Sequence, residues 1–197
     1  MSLLNQRALP TRIQALSELA TDLWWSWHPP AREVFRSLDY VIWRETRHNP
    51  VQMLALISDE RLHDAARDPA FLALYDKAMG ALQRARIGGG TWWSQRYGNR
   101  LNDSIAYFSA EFAVHQSVPL YAGGLGVLAG DYCKEAGDLG VPLIGVGFRY
   151  STGYFRQRIS ADGWQMEEYV RFPIGETPLE RARTPQGAPC TITVPLS

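Results

Sequence analysis

Residues 120–140 read LYAGGLGVLAGDYCKEAGDLG, from Leu120 to Gly140, and hold six glycines, three of them within residues 123–126. Leu125, Leu128, Tyr132, Ala136 and Leu139 keep the three- and four-residue steps of one helical face, so the spacing predicts a helix from near Leu125 to near Leu139. Gly140 suits the position just past the end, and Pro142 lies two residues on. Gly123 and Gly124 stand immediately before the first turn. A helix N-terminus presents amides with no intrahelical partner and the positive end of the dipole. Glycine lets such a backbone approach a ligand closely. One reading is therefore an anion site with phosphate as its guest; the other is a tight turn needing no ligand. The pattern is neither the Walker sequence nor the dinucleotide fingerprint. Gly126, Gly130 and Gly137 fall inside the helical stretch. Each costs about 1 kcal/mol of helix stability against alanine, so close packing or close ligand approach is expected at them.

On either side lie two short apolar runs. In SIAYFSAEF, Ile105–Phe108 read as a buried strand, followed by Ser109, Glu111 and His115; LIGVGF, Leu143–Phe148, reads as a second, followed by Arg149 and Tyr150. Strand, helix, strand predicts a parallel α/β unit. Groups just beyond strand C-termini line the clefts of such folds, which makes Glu111 and His115 cleft candidates. The alternatives are a structural carboxylate bound to backbone amides or an arginine, and a satisfied loop histidine. Further on, Tyr154–Ile159 alternate as a strand and ADGW suits the turn after it. Arg149, Arg156 and Arg158 are able to bind phosphate or to pair with Glu167 and Glu168. Thr191–Val194 read as a final strand with no partner after it, so further domain material is expected to follow.

The first hundred residues are helical in pattern. Thr11 and Gln14 have capping-box spacing, and Ile13, Leu16, Ala20, Leu23 and Trp27 then form one stripe. Pro30 opens a helix with Ala31, Val34, Phe35 and Leu38 on one face. Asn49–Pro50 and Asp68–Pro69 are cap and first-turn pairs, and Ser58 caps a short helix. Four or five helices are predicted, ended by Gly88, Gly89 and Gly90, with Trp92 and Trp93 in a polar segment beyond. LWWSWHPP raises two readings: a helix end packed into its neighbours, or a platform on which sugar rings stack. His28 reads as a turn residue, and His48 and His63 sit singly without metal-ligand spacing.

The 197 residues are 46% hydrophobic with zero formal net charge. That suits one domain, or one and a part, and gives no basic stripe for nucleic acid. Cys133 and Cys190 lie far apart and form no CxxC pair, which reads as free thiols. The N-terminus has no signal-peptide core, and no stretch reaches the roughly 18 apolar residues of a membrane helix. A cytoplasmic chain, with no membrane or nucleic-acid partner, is the expectation.

The ordered run from YFSAEFAVHQSVPLYAGGLG through GFRYSTGYFRQRISADGWQ resembles the N-terminal part of the α-glucan phosphorylases, that is, the glycogen, starch and maltodextrin phosphorylases. LATDLWWSWHPPAREVFRSLD and RHNPVQML resemble the helical N-terminal extension of their shorter bacterial and archaeal branch. The resemblance implies an α/β fold: a helical module over residues 1–100, then the first part of a Rossmann-like GT-B N-terminal domain over 101–197. It implies, for the parent protein, transfer of a terminal glucosyl unit from an α-1,4-glucan to orthophosphate. The product is α-D-glucose 1-phosphate, formed with retention and without the two carboxylates of most glycosidases. It implies pyridoxal 5′-phosphate as cofactor, its Schiff-base lysine outside these 197 residues, and a homodimer as an option for the full-length form.

Carried onto this sequence, the family's glycine loop falls on Gly123, Gly124, Leu125 and Gly126, a phosphate- and glucosyl-binding loop. The glutamate after the first strand falls on Glu111, with a positioning or electrostatic role, and His115 follows it. Arg149, Tyr150, Gly163 and Trp164 match framework positions near the cleft. The shorter branch usually reads AEFG-x-HES where this chain has AEFAVHQS; Ala113 and Gln116 depart, and Gln116 is expected to remove a charge near the cleft mouth. No metal is implied, and Lys134 matches no cofactor-lysine motif. Two other readings stand: a nucleotide-sugar-dependent GT-B glucan synthase, whose loop usually reads closer to KTGGLGDV, and a non-catalytic α-glucan-binding remnant. On the phosphorylase reading these residues by themselves are expected to be inactive.

Overall fold

The computed structural model describes residues 7–98, 103–118, 120, 123–150, 152, 155–169 and 173–193. The first part is helical: α1 (Leu16–Thr21), α2 (Pro29–Leu38), α3 (Tyr40–Glu45), α4 (Pro50–Leu56), α5 (Asp59–Ala65), α6 (Pro69–Ile87) and α7 (Trp92–Arg96). Single 3-10 turns at Thr11–Ile13 and Leu23–Trp27 flank α1.

Three helix starts follow their local chemistry as expected. Asn49 accepts from the amides of Val51 and Gln52, Ser58 from Arg61, and Asp68 from Ala70. Each such cap contributes about 1 kcal/mol. Gly88, at φ +65, ends α6. Two expectations fail. Pro10, not Thr11, precedes the first turn, and it gives no side-chain cap. The single stripe from Ile13 to Trp27 is broken at Asp22, which is extended (φ −89, ψ 105) and turns its carboxylate onto the Trp24 amide. Asp39 does the same between α2 and α3, accepting from Ile42 at 3.0 Å. Short acidic side chains compete with the helix for its own backbone, so among the described residues six helices precede Gly88 where four or five were expected. A further short helix, α7, forms in the segment read as polar.

The core of this part is one cluster. Phe35 and Trp43 stack at 5.8 Å, and Trp25 meets both edge-on at 5.6 and 5.7 Å. Ala31, Val34, Phe35 and Leu38 bury the inner face of α2 against α6, whose Phe71, Tyr75, Ala78 and Leu82 face it. Full burial of a Val, Leu, Ile or Phe side chain contributes about 1.5–3 kcal/mol.

The second part contains β1 (Ile105–Phe108), α8 (Gly124–Asp138) and β2 (Leu143–Val146). β1 and β2 pair in parallel, Ile105 opposite Leu143 through Phe108 opposite Val146. The expected strand–helix–strand unit is present. α8 ends in a Schellman motif: Val141 N–H donates to Ala136 O and Gly140 N–H, at φ +71, to Gly137 O. A second, antiparallel pair follows: β3 (Arg156–Ile159) and β4 (Gln165–Glu168). β3 carries the predicted alternating segment; Tyr154 lies outside the described residues.

Three expectations about this part are corrected. β1 and β2 are not buried: Phe108, Ile144 and Val146 are exposed, because no second layer of described residues covers the face of the sheet that carries them. The apolar face read from the spacing of α8 is turned outward along most of its length, with Leu125, Leu128 and Tyr132 each more than half exposed, and only its Ala136 is buried. Its buried residues are Gly126, Ala129, Gly130 and Ala136. Thr191–Thr193 form no strand, and Val194 lies outside the described residues. The backbone before them is spent on a tight loop, with Thr184 N–H donating to Ala188 O and Cys190 N–H to Ala182 O.

Candidate active site at the glycine helix

Parallel pairing places the C-terminal ends of β1 and β2 at one edge of the sheet. The chain leaves β1 through Ser109, whose N–H donates to Val146 O at 3.1 Å and whose Oγ donates to Glu111 O at 2.8 Å. Phe112 turns back over β2, where a Cβ on Gly147 would stand 2.8 Å from its ring and one on Gly145 3.2 Å. The glycines of LIGVGF are thus explained by this aromatic ring.

Glu111 is half-buried, and its Oε2 accepts from the Gly123 amide at 3.0 Å. A carboxylate at this place interacts favourably with the helix dipole, by about 0.3–1 kcal/mol. Gly123 is the N-cap of α8 and receives no side-chain cap bond of its own. A Cβ on Gly123 or Gly124 would meet nothing within 4 Å. Both residues and Leu125 are exposed, and neither glycine has a positive φ. Nothing packed inside the described chain demands glycine at these two positions.

Gly126 and Gly130 differ. Gly126 O accepts from Ala113 N–H at 2.8 Å. A Cβ on Gly130 would stand 2.6 Å from the Ala113 carbonyl carbon and closer still to its oxygen. The loop after β1 lies directly on the glycine face of α8, and these internal glycines serve close packing. Ala113, one of the two departures from the family pattern, is therefore a contact point of the helix.

Arg149 and Tyr150 leave β2 at the same edge as Glu111, and both are exposed. Gly163 (φ +87) and Trp164 form the β3–β4 turn, where Ser160 Oγ accepts from Trp164 N–H at 3.0 Å and donates to Asp162 at 2.6 Å. That hydrogen bond holds the Asp162 carboxyl below its ordinary value. Trp164 is largely exposed. Glu111 and the glycine loop are in contact, Arg149 and Tyr150 share their sheet edge, and Gly163 and Trp164 belong to the other strand pair.

His115 packs edge-on against Trp25 at 4.7 Å. Its Nδ1 accepts from the Ser117 amide at 3.1 Å and lies 2.9 Å from Ser117 Oγ. Burial first, then His48 and Lys134, lower its pKa to about 4. Between about pH 6.5 and 4 the unfolded chain therefore binds more protons at this residue than the folded one. Stability contributed by the neutral ring is complete above pH 6.5 and is lost as pH falls towards 4. Solvent screening of a half-buried ring leaves about 1–2 kcal/mol of this effect. His115→Gln should flatten the urea midpoint between pH 7 and 4.5; an unchanged slope would place the acid loss at another group.

Gln116, read as removing a charge near the cleft mouth, donates from Nε2 to Arg47 O, at a turn where Arg47 and His48 hold φ of 52 and 61. A glutamate cannot donate there. Two further contacts had no sequence signal. Asp138 accepts from Trp27 Nε1 at 3.0 Å and lies 3.3 Å from His28 Nε2. Asn49, besides its cap, donates to Glu176 O at 2.7 Å. Both connect positions more than a hundred residues apart, which no local pattern reveals.

Residues 9–118 match a family described as a protein of unknown function, DUF3417, and residues 111–192 match the carbohydrate phosphorylase family. A glycogen phosphorylase of Mycobacterium tuberculosis (strain H37Rv) is 40% identical over 193 residues, covering 95% of this chain and 22% of that protein. A maltodextrin phosphorylase of Thermococcus litoralis is 36% identical over 188 residues, again 95% and 22%. A glycogen phosphorylase of Aquifex aeolicus is 42% identical over 152 residues, 77% and 21%. The chain thus spans about a fifth of the length of these relatives. No solved structure matches it. Matched along nearly its whole length by these proteins, and by the two family models in succession, the chain belongs to the glycogen and maltodextrin phosphorylase family.

Proposed function

We propose that the parent protein catalyses phosphorolysis of terminal α-1,4-linked glucosyl units of glycogen or maltodextrin, giving α-D-glucose 1-phosphate and a glucan one unit shorter. The observation that carries this reading is the bare N-terminus of α8. Gly123 and Gly124 are exposed, unstrained and unexplained by any neighbour within 4 Å, at the C-terminal edge of a parallel strand pair. Such a backbone suits an incoming anion. Glu111 takes a positioning role: its bond to the Gly123 amide fixes the direction of the loop. Residues 1–100 act as a helical module, and 101–197 form the first part of a Rossmann-like GT-B domain in a cytoplasmic enzyme. The exposed faces of α8, β1 and β2 support a larger catalytic domain packing on them. His115, neutral and set against Trp25, serves the joint with the module rather than proton transfer.

The family implies pyridoxal 5′-phosphate, and these residues do not fit its aldehyde end. Lys77 is on α6 of the module. Lys134 lies three turns into α8, 3.6 Å from Asp131. The chain's contribution is confined to the loop amides and Glu111. The test is the full-length protein with maltoheptaose and either orthophosphate or a glucose nucleotide. Release of glucose 1-phosphate with orthophosphate is expected. Glucan extension from the nucleotide sugar without phosphorolysis would replace this reading with the synthase one. The 197 residues alone, with cofactor added, should release none.

A further inference from the structure

The tryptophan run LWWSW, residues 23–27, lies in the helical module, outside the glycine loop and its strand edge. The sugar-platform reading of the run fails on geometry. Trp25 is buried, Trp24 stacks on His28 at 3.8 Å with its ring packed on the core, and Trp27 gives its Nε1 to Asp138. Each ring is engaged within the protein, and the partners are instructive. Through Trp25 the 3-10 turn touches His115, in the loop that carries Glu111. Through Trp27 the same turn holds Asp138, the last residue of the helix that begins at Gly124.

Other contacts repeat this two-handed pattern. On the loop side, Gln116 donates to Arg47 O. On the helix side, His28 Nε2 lies 3.3 Å from the Asp138 carboxylate and Trp93 N–H donates to Leu139 O at 3.0 Å. Gly137 also lies against the Trp27 ring. The contact between Glu111 and Gly123 thus closes between two segments, each gripped by the module. Leu125, Val127, Leu128 and Tyr132 leave the outer face of α8 uncovered. Among the described residues its placement therefore rests on the β1–β2 sheet, where Tyr132 meets Tyr107 at 5.0 Å, on the Ala113 loop, and on the module at its C-terminus.

We propose that the helical module is a positioning clamp for the glycine loop, with Trp27 and Asp138 as its positioning pair. It rests on the phosphorolysis reading above. α8 spans about 22 Å, and a packed helix moves as a unit, so a shift at Asp138 is carried to Gly123 and Gly124. An error of about 1 Å in the placement of a reacting group costs about 100-fold in rate, so a clamp far from the chemistry is able to matter.

The test uses Trp27→Phe, Asp138→Ala and Asp138→Asn. Phenylalanine keeps a ring and loses the donor; asparagine keeps an oxygen that accepts from Trp27. In the full-length enzyme the first two should raise KM for phosphate by about fivefold or more, with KM for maltoheptaose unchanged. Asp138→Asn should restore the wild-type value. In the 197-residue chain, Trp27→Phe should speed amide exchange at residues 123–127 and leave α6 unchanged. A lower melting temperature with unchanged KM for phosphate and unchanged exchange at 123–127 would overturn the clamp. Should the wild-type parent release no glucose 1-phosphate, the phosphorylase reading fails, and the exchange result alone decides whether the module holds the loop.

Discussion

Gly124→Val in the full-length enzyme is expected to lower phosphorolysis by about 100-fold or more while leaving stability nearly unchanged. The two halves of this expectation come from different observations. A Cβ at Gly124 meets nothing within 4 Å, and φ is not positive, so the chain accommodates the side chain without a clash. Valine has a higher helix propensity than glycine, and it restricts the unfolded chain. Folding therefore has no reason to suffer. The bare position has to be explained by something that approaches from outside, and the exposed amides of the first turn favour an anion. Two isopropyl methyls there would hold phosphate away from those amides. The check is steady-state kinetics beside a urea unfolding curve. Full activity would remove the loop from the site. Equal loss of stability and activity would show that glycine is needed for packing, contrary to the open space around it.

Much of the architecture was legible because its signals are local. Asn49–Pro50, Ser58 and Asp68–Pro69 cap helices through amides two or three residues away, and Gly140 closes α8 through bonds within its own last turn. Asp22 and Asp39 obey the same chemistry, but each stands within an apolar periodicity that reads on without them. A side chain choosing between solvent and its own backbone leaves no mark in the spacing. The orientation of α8 was legible only at Ala136, near its C-terminal end. Periodicity assigns the larger apolar residues to the interior, and Leu125, Leu128 and Tyr132 satisfy that rule on paper. The interior of this helix is instead the face that lets the Ala113 backbone come close, and only the smallest side chains allow it. The candidate site divided in the same way. Glu111 announced itself by its position after a strand and the glycine loop by its position before a helix, whereas Asp138 and the Trp27 donor meet only through the tertiary fold.

Gly130→Ala is expected to destabilise the chain by about 2 kcal/mol, against the sign that helix propensity alone would give. In an isolated helix the change stabilises by about 1 kcal/mol. Here the new Cβ would stand 2.6 Å from the Ala113 carbonyl carbon and 3.2 Å from the Val114 nitrogen. These are backbone atoms and cannot rotate aside. Overpacking of this kind costs about 1–3 kcal/mol. Moving the loop away also strains the 2.8 Å bond from Ala113 N–H to Gly126 O, worth about 0.5–1.5 kcal/mol. The sum of the two costs exceeds the propensity gain. For a chain of this length the net loss should lower the melting temperature by roughly 4–8 °C. Gly124→Ala, in the open first turn of the same helix, is the control and should leave the melting temperature at or slightly above wild type. A Gly130→Ala chain that melts at or above the wild-type temperature would mean that Ala113 does not lie on this face. The loop bearing Glu111 would then lose its seat on α8, and the short bond from Glu111 to Gly123 would have nothing behind it.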